Sequence, residues 1–329
     1  MAQPTVQFKV SSLPPEPAPA VPSSPFHLSP EQVQFYDDHG YLLLRGWIRG
    51  PLLEAVQRAA ERWIADGQAL EPAHAGDDFN FAPRPDGPAL FRVNYLHARG
   101  QEASLALLGS PEVLGVAESL CGPSFVPTYE SLVFKQRGDG EQIPWHQDAV
   151  HPRRWRIFNF DLYLDASRAG GGALRVVPGT HRQLLDPCDI RDEYGWDAPG
   201  VVQVEMEPGD VLLHDVMVLH GSEPTPGGEL RRTVYLEFRA AQQIMHEGPW
   251  DAEWVQRRLR LMPLALRAHA RAFPHLPPFT WTPSAQWRPQ DRQDDATELK
   301  VAHLVHTPGA WCSAGSVPLK DDADVLSAD

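Results

Sequence analysis

From residue 124 to residue 239 the chain reads as short strand-forming runs punctuated by glycine and proline. The strand candidates are residues 128–136, 156–165, 173–177, 201–205, 210–214 and 231–239. Pro178-Gly179 and Pro208-Gly209-Asp210 supply turns. Parallel strands need long crossover connections, usually helical, and none is visible between these runs. The pattern therefore predicts an antiparallel sandwich or barrel.

Helical signals flank this block. Ser29-Pro30-Glu31 offers an N-cap and a first-turn proline for a helix ending near Gly40. Tyr41-Leu42-Leu43-Leu44-Arg45 follows as a buried strand. A second helix is expected over 51–66, with Leu52, Leu53, Val56, Ala60 and Trp63 at helical spacing. Ser110-Pro111-Glu112 caps another, ending at Gly122. Residues 251–272 read as one helix rich in arginine. The domain reading is a Pro-rich disordered tail over 1–28, a main folded domain over 29–240, and a helical and irregular extension over 241–329 packed on the same domain. The extension ends in an acidic stretch over 320–329, and no internal repeat is visible.

Composition narrows the function classes. A net charge of -14 argues against nucleic-acid binding and against an anionic membrane surface. No apolar run approaches the roughly twenty residues of a membrane span. The N-terminal segment lacks the pattern of a secretory signal, so a cytoplasmic location is expected. Cys121, Cys188 and Cys312 are widely spaced, with no CxxC pair, and are expected to be free thiols rather than a disulfide framework or a zinc site.

The chemistry concentrates in Pro144-Trp145-His146-Gln147-Asp148. Residues i and i+2 of a strand face the same way, so His146 and Asp148 can ligate one metal. A His-x-Asp pattern by itself is common by chance. A third ligand must come from another strand, and His214 and His220 are both available. Two imidazoles and one carboxylate suit non-haem Fe(II) with open positions. Arg231 or Arg232 can pair with a distal carboxylate; adjacent strand residues face opposite ways, so only one enters the interior.

Taken with Glu31 to Gly46, with Val177-Pro178-Gly179-Thr180-His181-Arg182, and with His220-Gly221-Ser222 followed by Arg231, these segments resemble the phytanoyl-CoA dioxygenase family. That family comprises Fe(II)- and 2-oxoglutarate-dependent oxygenases. The resemblance implies a mainly β protein with flanking helices, a double-stranded β-helix or jelly-roll, cupin-like barrel. It implies His146, Asp148 and His220 as iron ligands, preferring His220 over His214 because Ser222 and Arg231 stand at the matching offsets. It implies Arg231 and Ser222 as partners of the 2-oxoglutarate distal carboxylate. Tyr129 and Lys135, on one strand face, are further cosubstrate candidates. One member of the family uses amide side chains where this chain has Tyr129 and Val133, and a solvated strand-end lysine is an equal reading of Lys135.

The implied reaction consumes O2, releases succinate and CO2, and hydroxylates an unactivated C–H bond of a small-molecule metabolite. Related halogenases carry a small residue in place of Asp148, so this carboxylate points to oxygen chemistry. Trp145, His151, Arg153, Arg154 and Arg156 are candidates for substrate contact, with solvent-facing loop or packing roles as the alternatives. His181 is read as part of a structural turn. Segments 67–100 and 145–156, with Phe79, Phe81, Phe91 and Tyr95, are candidates for shaping the substrate pocket. The rival functions are a cupin-like metalloenzyme with non-oxidative chemistry and a non-catalytic binding protein.

Overall fold

The computed structural model describes residues 25–150, 154–225, 229–290, 299–303 and 310–311. The chain enters through α1 (Pro30–His39), β1 (Tyr41–Leu44) and α2 (Gly50–Gln68). The hairpin β2 (Phe79–Ala82) and β3 (Ala89–Asn94) follows, then α3 (Ala103–Leu108) and α4 (Pro111–Cys121). Next come β4 (Phe125–Lys135), β5 (Ile143–Gln147), β6 (Ile157–Tyr163) and β7 (Leu174–Val177). After α5 (Pro187–Tyr194) lie β8 (Val202–Val204), β9 (Val211–Asp215), β10 (Leu219–Ser222) and β11 (Arg231–Ala240). Helices α6 (Ala241–Glu247), α7 (Ala252–Leu259) and α8 (Leu261–Ala272) precede a last strand, β12 (Ala310–Trp311).

Local chemistry sets the element ends. The Ser29 side chain accepts from the Gln32 amide while the Gln32 side chain accepts from the Ser29 amide, a reciprocal cap on α1. Such a cap contributes about 1 kcal/mol. Gly40 closes the same helix at φ 77°, a left-handed conformation that glycine adopts without steric cost. The helix read over 251–272 is two helices that break at Arg260. Pro263 explains the break: it lacks an N–H and is accommodated in the first turn of α8, not in mid-helix.

Two antiparallel sheets form the frame. A 7-stranded sheet has the order β1-β9-β6-β11-β4-β3-β2, and a 5-stranded sheet has the order β12-β5-β10-β7-β8. The outer face of the larger sheet carries Leu132, Phe134, Phe158, Phe160, Leu162, Leu213, Val234 and Leu236 into one core with Val56, Trp63, Val113, Leu114 and Met262 of the helices. Its inner face turns toward the smaller sheet, where Tyr163 and Leu212 meet Leu174, Val176, Val204 and Val218. Burying each large apolar side chain contributes roughly 1.5–3 kcal/mol. This is the mainly β, helix-flanked jelly-roll architecture expected from sequence. The two sheets face each other without joining into a closed barrel.

Several features differ from the sequence reading. The hairpin β2–β3, read as part of a pocket-shaping segment, extends the larger sheet beside β4. Helix α5 interrupts the strand block, with Asp186 capping it by accepting from the Cys188 amide. Cys188 is disulfide-bonded, not the free thiol expected, whereas Cys121 is free. Cys312 lies outside the described residues, as do residues 1–24. Packing already starts at Phe26 to Leu28: Phe26 meets Trp47 edge-on, His27 pairs with Glu118, and the Leu28 amide donates to Ser119. Beyond Ala240, α8 lies against α3, and Arg258 of α7 reaches Glu130 of β4 at 2.6 Å. Among the described residues no helix is long and apolar enough to cross a membrane.

Candidate metal centre

Antiparallel pairing of β10 with β5 places His220 directly opposite His146. Their rings stand with centroids 4.0 Å apart. Asp148, just past β5, completes the cluster: one ligand atom from each of the three buried residues lies within 4.8 Å of the others. The His146 Nδ1 donates to the Pro144 carbonyl at 2.8 Å, and the His220 Nδ1 donates to the Val218 carbonyl at 2.9 Å. Each Nδ1–H bond fixes a tautomer in which Nε2 carries the lone pair. Both Nε2 atoms converge on Asp148 Oδ1, at 3.2 Å from His146 and 3.9 Å from His220. Two imidazole lone pairs and an anionic oxygen converging in a buried site form a donor set that fits a divalent iron.

The other Asp148 oxygen has different company. Oδ2 accepts from the Asn159 amide at 3.1 Å and lies 3.1 Å from the His214 Nε2. The His214 Nδ1 in turn lies 2.7 Å from Asp161 Oδ2. Burial alone would raise the Asp148 carboxyl, but the surrounding imidazoles, His220 first, hold it well below the ordinary range. His220 is pushed well below its usual value by burial and by His146 beside it. Burial opposes the charge on His214, yet Asp161 and Asp148 raise it. Asp161 is pushed up by its own burial.

A second group of cations lies along the same interior. Arg231 and Lys135 are paired across β11 and β4. Both line one cavity with Tyr163, Thr233, Ile143 and Leu174. The Lys135 Nζ donates to Ser222 Oγ at 3.1 Å and to the Glu141 carbonyl at 2.5 Å. Arg231 donates to the Gly172 carbonyl and, at 3.4 Å, to Ser167 Oγ. Among the described residues neither cation forms an ion pair. Burial, with Arg231 nearby, lowers the Lys135 ammonium to about 7. A half-buried pocket holding an arginine and a lysine without direct ion pairs, together with a hydroxyl, suits a carboxylate, although Asp139 and Glu141 also border it. Arg232 points to the opposite face and forms a bidentate pair with Asp165, both contacts at 2.8 Å.

The remaining sequence candidates are dispersed. Tyr129 lies on the inner face but donates to Asn94 and packs edge-on against His303, apart from the two cations. Trp145 turns away from the metal cluster, with its indole N–H on the Gly195 carbonyl and its ring against Trp196. Gln147 likewise turns away and ties down the Gln183 and Met217 carbonyls. Arg156 clamps Asp37 of α1 through two bonds of 2.6 and 2.7 Å. Arg154 is exposed, and its backbone amide meets Glu247. His151 and Arg153 lie outside the described residues. His181 contacts the Asp37 carbonyl, a structural role at the α1 terminus. Of the aromatic pocket candidates, Phe91 lines the cation cavity and Phe79 belongs to the helix-covered core. Asn159 and Asp161 escaped the sequence reading. Their signal was present in Phe158-Asn159-Phe160-Asp161-Leu162, where polar residues alternate with large apolar ones along a fully buried strand.

Comparison with known proteins identifies the family. The family model for phytanoyl-CoA dioxygenase matches residues 36–233. Ectoine dioxygenase of Sphingopyxis alaskensis is 25% identical over 271 residues, covering 73% of this chain and 86% of that protein. The peroxisomal phytanoyl-CoA dioxygenase of Rattus norvegicus is 25% identical over 217 residues, covering 59% of this chain and 63% of that one. Among solved structures, AviO1 from Streptomyces viridochromogenes superposes with a TM-score of 0.54 at 28% identity, over 64% of this chain and 94% of that one. EctD from S. alaskensis, solved with 2-oxoglutarate and 5-hydroxyectoine, has the same fold, with a TM-score of 0.56 at 22% identity over 73% of this chain and 83% of that one. With a family match over more than half its length, this chain belongs to the phytanoyl-CoA dioxygenase family and is an Fe(II)- and 2-oxoglutarate-dependent dioxygenase.

Proposed function

We propose that this dioxygenase hydroxylates an unactivated C–H bond of a small-molecule metabolite, with His146, Asp148 and His220 as its iron ligands. The observation that carries the reading is the convergence of these three buried ligand atoms within 4.8 Å of one another. Iron and 2-oxoglutarate, when bound, supply the oxidising power, with release of succinate and CO2. The chain's own residues bind and orient. His146 and His220 present Nε2 because their Nδ1–H groups are committed to backbone carbonyls. Arg231 and Lys135 hold the distal carboxylate of the cosubstrate, and Ser222 adds a hydroxyl. Ile143, Val133 and Leu174 line the same cavity and exclude water, which strengthens those charged contacts. A carboxylate at Asp148 occupies the position that halogenases leave open, which favours hydroxylation.

Relatives named for ectoine, phytanoyl-CoA and methylphosphonate support a small-molecule substrate without choosing one. Anaerobic protein given Fe(II) and 2-oxoglutarate should develop a metal-to-ligand absorption band. A succinate-release screen across metabolite classes, followed by mass analysis of the product, should find one that gains a single oxygen atom. Folded protein showing neither band nor succinate would falsify the ligand assignment. A product lacking the added oxygen would leave the dioxygenase but remove hydroxylation.

A further inference from the structure

His214 stands in register with Asn159 on the neighbouring strand, and both side chains reach the same oxygen of Asp148. Asp148 therefore has two unlike oxygens. Oδ1 faces the Nε2 atoms of His146 and His220, whereas Oδ2 is 3.1 Å from both the Asn159 amide nitrogen and the His214 Nε2. The His214 ring is itself braced by Asp161, 2.7 Å from Nδ1. His214 and Asp161 are 1% and 0% exposed, so water does not compete for these contacts. We infer that His214, held by Asp161, is a positioning residue that fixes the Asp148 carboxylate so that Oδ1 alone is presented to the metal.

The inference deepens the proposed site and rests on its ligand assignment. A carboxylate free to turn about its Cβ–Cγ bond can present either oxygen or both. A donor on Oδ2 opposes that rotation, and a single bound oxygen preserves the open positions that a cosubstrate and O2 require. The bridge also joins the two sheets, since His214 lies on β9 of the larger sheet and Asp148 follows β5 of the smaller one. A purely structural bridge would affect stability alone. A positioning bridge affects the metal.

Three substitutions separate these roles, read by anaerobic Fe(II) titration, the absorption band with 2-oxoglutarate, and Tm. His214→Phe removes the contacts of both ring nitrogens, with Asp161 through Nδ1 and with Asp148 and Asn159 through Nε2. His214→Gln places an amide N–H near the original Nε2 and restores the donor to Asp148. His214→Asn reaches toward Asp161 but falls short of Asp148. Expected is Fe(II) affinity about 10–100-fold weaker in the Phe and Asn variants, with a displaced absorption band. The Gln variant should recover most of the affinity and the native band. If Phe fails to fold, the contrast between Gln and Asn carries the test. Equal affinities and unmoved bands in the folded variants overturn the inference, as does a Gln variant no tighter than Asn. Wild-type protein that binds Fe(II) while its variants match it removes only this inference. Wild-type protein that binds no Fe(II) removes the ligand assignment as well.

Discussion

On β6, Phe158, Phe160 and Leu162 pack against the helix-covered core, while Asn159 and Asp161 face the second sheet and join the Asp148 network. The same alternation runs along β11, where Val234 and Leu236 enter that core and Thr233 and Tyr235 line the cation cavity. One face gains its energy from non-directional burial and tolerates many apolar sequences. The other holds charged groups out of water, where each needs a partner at a fixed distance and angle. The comparison teaches that stability and chemistry share strands but not side chains, so substitutions on the two faces should fail in different ways.

The largest expected effect is on the inner face. Asp148→Ala should abolish 2-oxoglutarate-dependent succinate release and Fe(II) binding while leaving a folded protein, checked by circular dichroism and metal titration. Leu132→Ala should do the reverse. It opens a cavity beneath fully buried Leu132 and costs about 2–5 kcal/mol, read as a lower denaturation midpoint. If Leu132→Ala instead lowered iron affinity in the folded protein, the two faces would not be separable. Arg231→Gln removes a charge-assisted contact of about 1.5–3 kcal/mol, so the KM for 2-oxoglutarate should rise roughly ten- to a hundredfold. Arg232→Gln should leave that KM unchanged, because its guanidinium is spent on Asp165.

Lys135 gives the pH-dependent version of the contrast. Its folded value of about 7 lies below the ordinary 10.5, so between these limits the unfolded chain binds more protons than the free folded enzyme. Stability without cosubstrate should therefore rise from about pH 7 toward 10.5, and Lys135→Met should flatten that slope. A cosubstrate carboxylate held at Lys135, as proposed, would restore the charge, so binding near pH 8 should take up a proton. Calorimetry in buffers of different ionisation enthalpy measures this uptake, and none in wild-type protein would remove Lys135 from the carboxylate site. The smallest effect is expected at Trp145→Phe, which loses the bond to the Gly195 carbonyl. It should cost about 1 kcal/mol of stability and leave succinate release at the wild-type rate.

Much of this was legible in the linear chain. Serine-proline caps marked α1 and α4, and turn residues separated the strands, because those signals act within a few residues. His146 and Asp148 were visible as a pair because residues two apart on a strand share a face. The short edge hairpin β2–β3 and helix α5 were not visible, since their pairing and packing partners lie far away in sequence. The disulfide at Cys188 was invisible for the same reason: spacing along the chain does not report proximity in space.

Sequence alone determined the residue types and their order: two imidazoles, a carboxylate, a hydroxyl and an arginine spread over 146–231, on strands without crossover helices. Tertiary structure shows where chemically equivalent letters stand. Strand register put His220 opposite His146 and left His214 on the other sheet, behind Asp148. Facing sent Arg231 inward and Arg232 to Asp165. The physical reason is that ligand chemistry is carried by side-chain type, which is local, whereas convergence depends on register and facing, which hydrogen bonding and burial fix between distant strands.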